Sequence, residues 1–300
     1  MRRFSLLFLL VIISLAFCSM PAVTAEVGDS KDVTTSEKQG PSKTDGDKKE
    51  QDKAEAESNI PPSPGVYFGR KIAQTMHYNG APWLVRESRE REEECSTLLK
   101  ILKVQPGQVI CDMGAGNGFY SLQMAELLEG KGQVLAVDIQ PEMARLLKAR
   151  AEKQDIPCSE VFIDPPKDRD YGKAMVVPII GSYVDPYLPT GKVDLCLCVD
   201  VYHEFSHPEQ MLAAIRKSLS PKGRLALVEY RTEDPAVPIK PLHKMSKKQI
   251  LKEMTPNGFK LVEQFDKLPW QHVMFFERDE DWKPASEDQA ATEKEKASAE

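Results

Sequence analysis

Residues 109–143 read VICDMGAGNGFYSLQMAELLEGKGQVLAVDIQPEM and decide the fold of this 300-residue chain. The stretch opens on a short apolar run, Val109–Cys111, which predicts a buried strand. Asp112 follows, and then come three glycines at alternate positions, Gly114, Gly116 and Gly118. After apolar residues at helical spacing, a second apolar run, Val134–Val137, ends at Asp138. The pattern predicts a strand, a glycine turn, a helix and a second strand, a unit that binds nucleotide-like ligands.

The spacing of the glycines narrows the choice of nucleotide. A dinucleotide-binding turn spaces them G-x-G-x-x-G, so that a pyrophosphate rests on the helix N-terminus. Here the spacing is G-x-G-x-G, and Asp112 stands two residues before the first glycine. A carboxylate at that place suits a cationic amino group better than a pyrophosphate, and Asp138 is placed to accept both hydroxyls of a ribose. S-adenosylmethionine offers such a ribose, together with a sulfonium and an ammonium.

This stretch resembles motif I and the acidic strand end that follows it in class I methyltransferases. The resemblance covers roughly residues 104–278 and implies a Rossmann-like α/β fold. That fold is a seven-stranded, mostly parallel sheet with helices on both faces and an antiparallel last strand. The cofactor implied is S-adenosyl-L-methionine, and the binding residues implied are Asp112, Gly114, Gly116, Gly118, Asp138, Ile139, Met143, Asp185 and Asp200.

Two of these assignments have an alternative that the residues leave open. Met143 lies where the family packs a side chain on the adenine, but a methionine in the first turn of a helix equally suits the core. Asp185 lies in the loop whose acid commonly accepts a hydrogen bond from the adenine amino group. Asp185-Pro186 is also a good start for a turn.

The candidate catalytic residues follow the predicted fourth strand, Val193–Val199. In open α/β sheets the ligand crevice lies outside the carboxyl ends of the strands. We therefore expect His203 to reach the methyl acceptor and act as a general base, with Tyr202 and Glu204 as catalytic neighbours. The alternative is that His203 only positions this loop.

The remaining elements separate the methyltransferase topology from a nicotinamide oxidoreductase. Arg224–Tyr230 predicts a fifth strand, and a helix capped by Ser246 leads to two further strands, Phe259–Phe265 and His272–Glu277. This order matches the methyltransferase sheet, in which the last strand is inserted antiparallel. A dehydrogenase needs a further half or a second domain, and the chain has no room for one.

The ends of the chain predict an exported protein. Residues 1–25 have the charged, apolar and cleavage regions of a signal peptide, and periplasmic or secreted localisation is expected after cleavage at Ala25. A lipoprotein anchor at Cys18 is not expected, because bulky Phe17 precedes the cysteine. Residues 26–62 and the acidic tail 279–300 have the composition of disordered segments.

Residues 63–103 predict an N-terminal lid or helical extension. Their aromatic residues, which include Tyr67 and Trp83, are costly to leave in water. In class I methyltransferases a segment at this place often covers cofactor and substrate, although simple packing on the core explains the same pattern. The charged run Arg86–Glu94 predicts a solvated helix face with ion pairs, in one helix extending to Leu102.

A small molecule is the expected methyl acceptor. A net charge of −6 does not indicate the excess of positive charge that attracts a nucleic-acid backbone. No membrane contact is expected beyond the cleaved leader. Asp164–Lys167 reads DPPK but follows the second helix rather than the fourth strand, so we interpret residues 154–173 as a surface insertion and not as an amino-methylation motif.

The Cys196-x-Cys198 spacing is not that of zinc ligands, and no metal site is expected. A binding module without turnover and an NAD(P)-dependent oxidoreductase remain the rival functions.

Overall fold

The computed structural model describes residues 60–284. The predicted signal peptide, most of the predicted linker and most of the acidic tail therefore lie outside the described residues. No helix within residues 60–284 has the length and apolar character that a membrane crossing requires.

A mostly parallel sheet of eight strands organises the described part of the chain. A separate short hairpin, β1 (Val66–Tyr67) and β2 (Arg70–Lys71), precedes the sheet. The strands of the sheet are β3 (Val109–Met113), β4 (Gln133–Asp138), β5 (Phe162–Ile163), β6 (Val176–Ile180), β7 (Val193–Val199), β8 (Leu219–Tyr230), β9 (Phe259–Phe265) and β10 (Gln271–Arg278). Their order in the sheet is β5-β6-β4-β3-β7-β8-β10-β9. The last strand, β10, runs antiparallel to both of its neighbours, as predicted.

The prediction of seven strands missed one at the edge of the sheet. Strand β5 has two residues, and it pairs in parallel with Ile179 and Ile180 of β6. It comes from the stretch interpreted as a surface insertion, because a pair of residues is too short to show the alternation of a strand. A second difference is that β8 begins at Leu219 instead of Arg224, with a register shift opposite Val193 and Leu195.

Helices cover both faces of the sheet, and the core divides accordingly. One apolar cluster joins one sheet face to the second, third and fourth helices, through residues such as Leu98, Leu122 and Leu147. The other joins the opposite face to the last two helices, through residues such as Leu212 and Ile250. The helices are α1 (Arg89–Glu93), α2 (Cys95–Leu102), α3 (Phe119–Leu127), α4 (Pro141–Lys153), α5 (Pro208–Ser218) and α6 (Lys247–Met254). Within residues 60–284, four 3₁₀ segments lie at Tyr78–Val85, Tyr202–Glu204, Pro241–His243 and Thr255–Asn257.

The charged run before the sheet is neither one helix nor fully solvated. Glu94 adopts a left-handed backbone, with φ 47°, and separates α1 from α2. Arg89 and Glu93 are buried, and Arg89 Nε donates to a Glu93 carboxylate oxygen at 2.8 Å. The other carboxylate oxygen accepts from Arg86 at 2.6 Å and from the Tyr230 hydroxyl at 2.9 Å. The prediction of a solvated face was wrong for this pair because composition does not reveal a buried partner.

Candidate active site

A cavity of about 550 Å³ lies at the carboxyl ends of the central strands. One part of its wall comes from the ends of β3, β4 and β7 and the turns that follow them. A second part comes from the N-terminal segment, residues 63–103 before the sheet. A third part comes from the loop after β8. The residues on which the site depends are Met76, Trp83, Leu84, Arg89, Gly114, Gly116, Asp138, Ile139, Met143, Asp200, His203, Glu204, Phe205, Met211, Ile239 and His243.

The glycine turn between β3 and α3 is packed closely from both sides. Gly114 has φ +67°, and a Cβ there would lie 2.4 Å from a methyl carbon of Val201. At Gly116, with φ +54°, a Cβ would lie 2.6 Å from Leu84 of the N-terminal segment. Both positions therefore require glycine for their backbone conformation and for the close approach of a neighbour.

The carboxylate of Asp138 is fixed at the end of β4 by backbone donors. One oxygen accepts the N–H of Gly116 and the other that of Gln140, each at 2.9 Å. Burial raises the pKa of Asp138, and these backbone hydrogen bonds oppose the rise. Each carboxylate oxygen keeps further acceptor capacity, so the group can accept a pair of hydroxyls on the cavity side.

The N-terminal segment closes over this end of the cavity through direct hydrogen bonds. The amide group of Gln140 accepts from the backbone N–H of Tyr78 at 2.8 Å and donates to the carbonyl of Met76 at 3.0 Å. Asn117, in the glycine turn, donates to the carbonyl of Ala81 at 3.1 Å. The segment thus contributes part of the cavity wall.

Two histidines and two glutamates meet on the opposite wall. His203 Nδ1 lies 2.7 Å from a carboxylate oxygen of Glu229, and its Nε2 lies 3.1 Å from Nδ1 of His243. Glu204 Oε1 is 3.9 Å from His203 Nε2 and 3.7 Å from His243 Nδ1. The backbone N–H of Met76 also donates to the Glu204 carboxylate, at 3.2 Å.

Burial and neighbouring charges shift the pKa values of this group. For His203, burial lowers the pKa, but the charge and hydrogen bond of Glu229 outweigh it, and the net shift is upward. Burial raises the pKa of Glu204 to about 7, against the opposing charge of His203. Burial is the largest cause that lowers the pKa of His243, and the charges of His203 and Lys240 lower it further.

Asp200 lines the cavity just after β7 with one unsatisfied oxygen. Its backbone is left-handed, with φ 52°, a conformation that aspartate tolerates better than most residues. Oδ2 accepts from the side chain of Gln271 at 2.7 Å, whereas Oδ1 is buried without a hydrogen-bond partner among the described residues. Burial, together with the charges of Glu93 and Glu229, holds the pKa of Asp200 well above its usual range.

Four of the predicted site residues do not line the cavity. Asp112 is buried on the α3 side of the sheet and accepts from the Ser121 hydroxyl at 2.5 Å. Asp185 pairs with Lys167 of the insertion at 2.7 Å. Tyr202 is fully buried and donates its hydroxyl to Glu253 at 2.7 Å. Gly118 precedes α3, where a Cβ would meet Leu147 at 2.6 Å.

The sequence-based set of site residues omits Arg89, Glu229 and His243. The sequence places His243 in a polar, proline-rich loop 40 positions after His203. A single histidine in such a loop does not indicate a functional role. The position of Glu229 partly indicated that it belongs to the site, because it lies near the end of a strand that points toward the crevice. Arg89 was not recognised because it lies in the charged run Arg86–Glu94, which was predicted to be a solvated face.

A family model matches the central part of the chain. Residues 111–227 match a model described as a methyltransferase domain. This range begins inside β3 and includes the glycine turn, Asp138, Asp200 and His203. Residues 111–227 are thus a methyltransferase domain of the class I type, whose cofactor is S-adenosylmethionine.

A solved structure shares the fold. It is a SAM-dependent methyltransferase from Aquifex aeolicus, with a TM-score of 0.58 and 19% identity, and the alignment covers 67% of this chain and 98% of that one. At this identity the likeness shows the architecture alone.

Curated relatives match over short parts of the chain. A protein-L-isoaspartate O-methyltransferase from Aeropyrum pernix is 41% identical over 56 residues, which are 19% of this chain and 22% of that protein. Ribosomal RNA large subunit methyltransferase E from Bdellovibrio bacteriovorus is 27% identical over 97 residues, 29% of this chain and 50% of that protein. The chain thus spans half or less of these relatives. The acceptors in their names are those of the relatives.

Several groups that line the cavity suit parts of S-adenosylmethionine. The fixed carboxylate of Asp138 suits a ribose diol, and Ile139 and Met143 provide apolar surface beside it. The unpartnered Oδ1 of Asp200 can accept a hydrogen bond from an ammonium, whose charge would oppose the rise in the Asp200 pKa. Arg89 lies at the same end of the cavity, with its guanidinium carbon 4.3 Å from the ring centre of Phe119, the first residue of α3. A carboxylate is favoured there, because the N-terminus of a helix attracts anions.

Proposed function

We propose that this protein transfers a methyl group from S-adenosylmethionine to a small, mostly apolar acceptor that carries a hydroxyl. The observation that carries the proposal is the continuity of the cavity. The same cavity is lined by the glycine turn and Asp138 on one side and by His203, Glu204 and the N-terminal segment on the other. Donor and acceptor can therefore be held next to each other, which is most of what methyl transfer asks of a protein.

On the donor side, Asp138 binds the ribose and Met143 packs on the adenine. The ammonium of the methionine part is placed at Oδ1 of Asp200, and its carboxylate faces Arg89 and the N-terminus of α3. This assignment differs from the sequence-based one, in which Asp112 held the methionine part and Asp185 the adenine. It is supported by the positions of the side chains, because Arg89 and Asp200 line the cavity and Asp112 and Asp185 do not.

On the acceptor side, the wall is apolar around one polar group. Met76, Trp83, Phe205, Met211 and Ile239 line the same cavity as His203 and its neighbours. A pocket of this kind favours a small apolar ligand oriented by few polar contacts. The net charge of −6 provides no attraction for a phosphate backbone, which supports a small molecule over a nucleic acid.

The reaction follows from this placement. The acceptor oxygen attacks the methyl carbon in line with the sulfonium, so that a C–O bond forms as the C–S bond breaks and S-adenosylhomocysteine leaves. The proton of the acceptor hydroxyl passes to Nε2 of His203. Glu229 acts as a positioning residue, since its hydrogen bond to Nδ1 fixes the His203 ring with Nε2 beside His243 at the cavity wall.

The test combines cofactor binding with a labelled-methyl screen. We expect S-adenosylhomocysteine to bind in calorimetry and to raise the melting temperature, and a metabolite to become labelled from methyl-labelled cofactor. Because His203 is buried, His203→Gln is used beside His203→Ala. Both variants are expected to bind S-adenosylhomocysteine nearly as well as the original protein and to lose most of the transfer.

The alternative outcomes identify the rival functions. Stabilisation by NADH in place of S-adenosylhomocysteine would indicate an oxidoreductase. Binding of S-adenosylhomocysteine without any labelled product, in extracts as well as in pure metabolites, would indicate a binding module. Equal turnover in the original protein and His203→Gln would show that His203 is not the base.

Export is a separate proposal that rests on the sequence of residues 1–25 alone. Expression in a bacterial host followed by N-terminal sequencing tests it. A mature chain that begins at Glu26 and is recovered from the periplasm or the medium supports export. A cytoplasmic chain that retains Met1 contradicts it.

A further inference from the structure

We propose that His203, His243 and Glu204 form a binding site for a divalent transition-metal ion, such as Zn²⁺, on the acceptor side of the cavity. Their donor atoms, Nε2, Nδ1 and Oε1, are separated by 3.1, 3.7 and 3.9 Å, and all lie within 4.8 Å of one another. A triangle with these sides has a centre roughly 2.1 Å from each corner. That distance falls in the range of about 2.0–2.2 Å for zinc bound to histidine and carboxylate.

The residues behind the donors orient them as in a metal site. His203 Nδ1 pairs with Glu229 at 2.7 Å, and Glu229 also accepts the backbone N–H of His203 at 3.2 Å. A carboxylate on the far nitrogen of a histidine fixes the ring and leaves the near nitrogen free for the metal. Glu204 is oriented in the same way by the backbone N–H of Met76. Both glutamates are almost fully withdrawn from solvent, with side-chain exposures of 0% and 10%.

The kind of donor selects the kind of ion. Two imidazole nitrogens and one carboxylate oxygen suit zinc and the divalent ions of iron and manganese, whereas magnesium and calcium prefer oxygen ligands. His243 is 33% exposed, which leaves a route for the ion to enter. All three ligands line the cavity, so the remaining coordination positions face the acceptor. Three protein ligands with an open position are the arrangement of catalytic rather than structural zinc.

The role of such an ion rests on the proposed function. A bound divalent ion lowers the pKa of a hydroxyl that it ligates. The acceptor hydroxyl would ligate the ion, release its proton to solvent water, and attack the methyl group as an oxyanion. When the ion is bound, Nε2 of His203 is a ligand and the ion activates the acceptor hydroxyl in its place; His203 acts as the base only in the metal-free protein. Metal binding itself does not depend on methyl transfer.

The competing interpretation is a hydrogen bond between the two imidazoles, with no ion. It accounts for the 3.1 Å contact between them. It does not require Glu204 to lie at a similar distance from both nitrogens. Direct metal binding separates the two interpretations.

The experiment uses the full chain without a polyhistidine tag, stripped with a chelator and titrated with Co²⁺. We expect one equivalent of Co²⁺ to give the visible absorption of a nitrogen- and oxygen-ligated site, and Zn²⁺ to displace it. His243→Ala and Glu204→Gln are expected to weaken Co²⁺ binding at least 10-fold. Glu229→Gln, which alters only the residue behind His203, is expected to weaken it about 10- to 100-fold. His77→Ala is the matched control, because this histidine is exposed and does not line the cavity.

Each result bears on one proposal separately. Absence of stoichiometric Co²⁺ binding, or equal affinity in His243→Ala and the original protein, overturns the metal site and leaves His203 as the base. S-adenosylhomocysteine binding by His243→Ala shows that the variant is folded, so its loss of Co²⁺ binding supports the site. Co²⁺ binding by a chain that does not bind S-adenosylhomocysteine refutes the proposed function but not the metal site.

Discussion

The carboxylate of Asp138 accepts the backbone N–H of Gly116 at 2.9 Å, and so joins the end of β4 to the glycine turn after β3. The two residues are 22 positions apart in the chain. Because the second carboxylate oxygen is held by Gln140, the group has a fixed orientation before any ligand arrives. A preorganised acceptor of this kind reduces the ordering that ligand binding requires.

Asp138→Ala should therefore weaken the binding of every ligand that contains the ribose. Loss of hydrogen bonds to a charged group corresponds to on the order of 1–3 kcal/mol, or roughly 5- to 150-fold in Kd. Calorimetry with S-adenosylhomocysteine and with 5′-methylthioadenosine, which lacks the amino-acid part, should show similar losses. Asp168→Ala, at an exposed aspartate of the insertion, is the control. Unchanged Kd values in Asp138→Ala would contradict the assignment of the ribose.

Asp200→Asn should distinguish the amino-acid part of the cofactor from its nucleoside. Asparagine can still accept from Gln271, but it turns the unpartnered Oδ1 into a donor that faces the ammonium. We expect S-adenosylhomocysteine to bind about 10- to 100-fold more weakly, the scale of a hydrogen bond to a charged group. Binding of 5′-methylthioadenosine should be unchanged. An equal loss for both ligands would mean that Asp200 supports the fold of the cavity and does not contact the ammonium.

The sequence was sufficient for the parts of the fold that are local. The strand, turn, helix and strand of residues 109–138 are contiguous, and β7 and β9 have the predicted bounds of Val193–Val199 and Phe259–Phe265. The site was placed by one topological rule, that ligands bind at the carboxyl ends of parallel strands. That rule explains why Asp138, Asp200 and His203 all line the cavity.

The unpredicted features depend on contacts between distant parts of the chain. Asp112 has the right position in the motif, but strand alternation turns its side chain toward Ser121. His243 reaches His203 only because the loop after β8 folds back across the sheet end. Charge patterning did not reveal the burial of Glu93, whose carboxylate accepts a hydrogen bond from Tyr230, 137 positions away. These contacts follow from tertiary packing, which no local pattern encodes.

Tyr202→Phe should affect stability and leave catalysis intact. Its hydroxyl donates to Glu253, which Arg70 also holds through two contacts of 2.7 and 2.9 Å. Loss of one hydrogen bond to a buried carboxylate corresponds to about 1–2 kcal/mol, or a melting temperature lower by roughly 2–8 °C. Cofactor affinity and turnover should match the original protein. Tyr171→Phe, in the insertion, is the control. A folded Tyr202→Phe variant as inactive as His203→Gln would instead give Tyr202 the catalytic role that the sequence predicted.

Asp112→Asn should change the pH dependence of stability without changing cofactor binding. Burial raises the pKa of Asp112 to about 7, with Cys196 adding to the rise and Ser121 and Arg89 opposing it. A carboxyl whose pKa is higher in the folded state stabilises the fold below the unfolded pKa, near 4, and loses that contribution as the pH rises to about 7. The loss is at most about 1.4 kcal/mol per pH unit in this window.

The asparagine variant cannot ionise, yet it can still accept the hydrogen bond from Ser121. Its melting temperature relative to the original protein should therefore rise between pH 4 and pH 8, by several degrees at roughly 2–4 °C per kcal/mol. The Kd for S-adenosylhomocysteine should be the same in both proteins, since Asp112 does not line the cavity. Thermal unfolding across this pH range and calorimetry at pH 8 measure the two effects. A parallel pH profile would show that Asp112 is ionised in the folded protein, and a large loss of affinity would return Asp112 to the cofactor site.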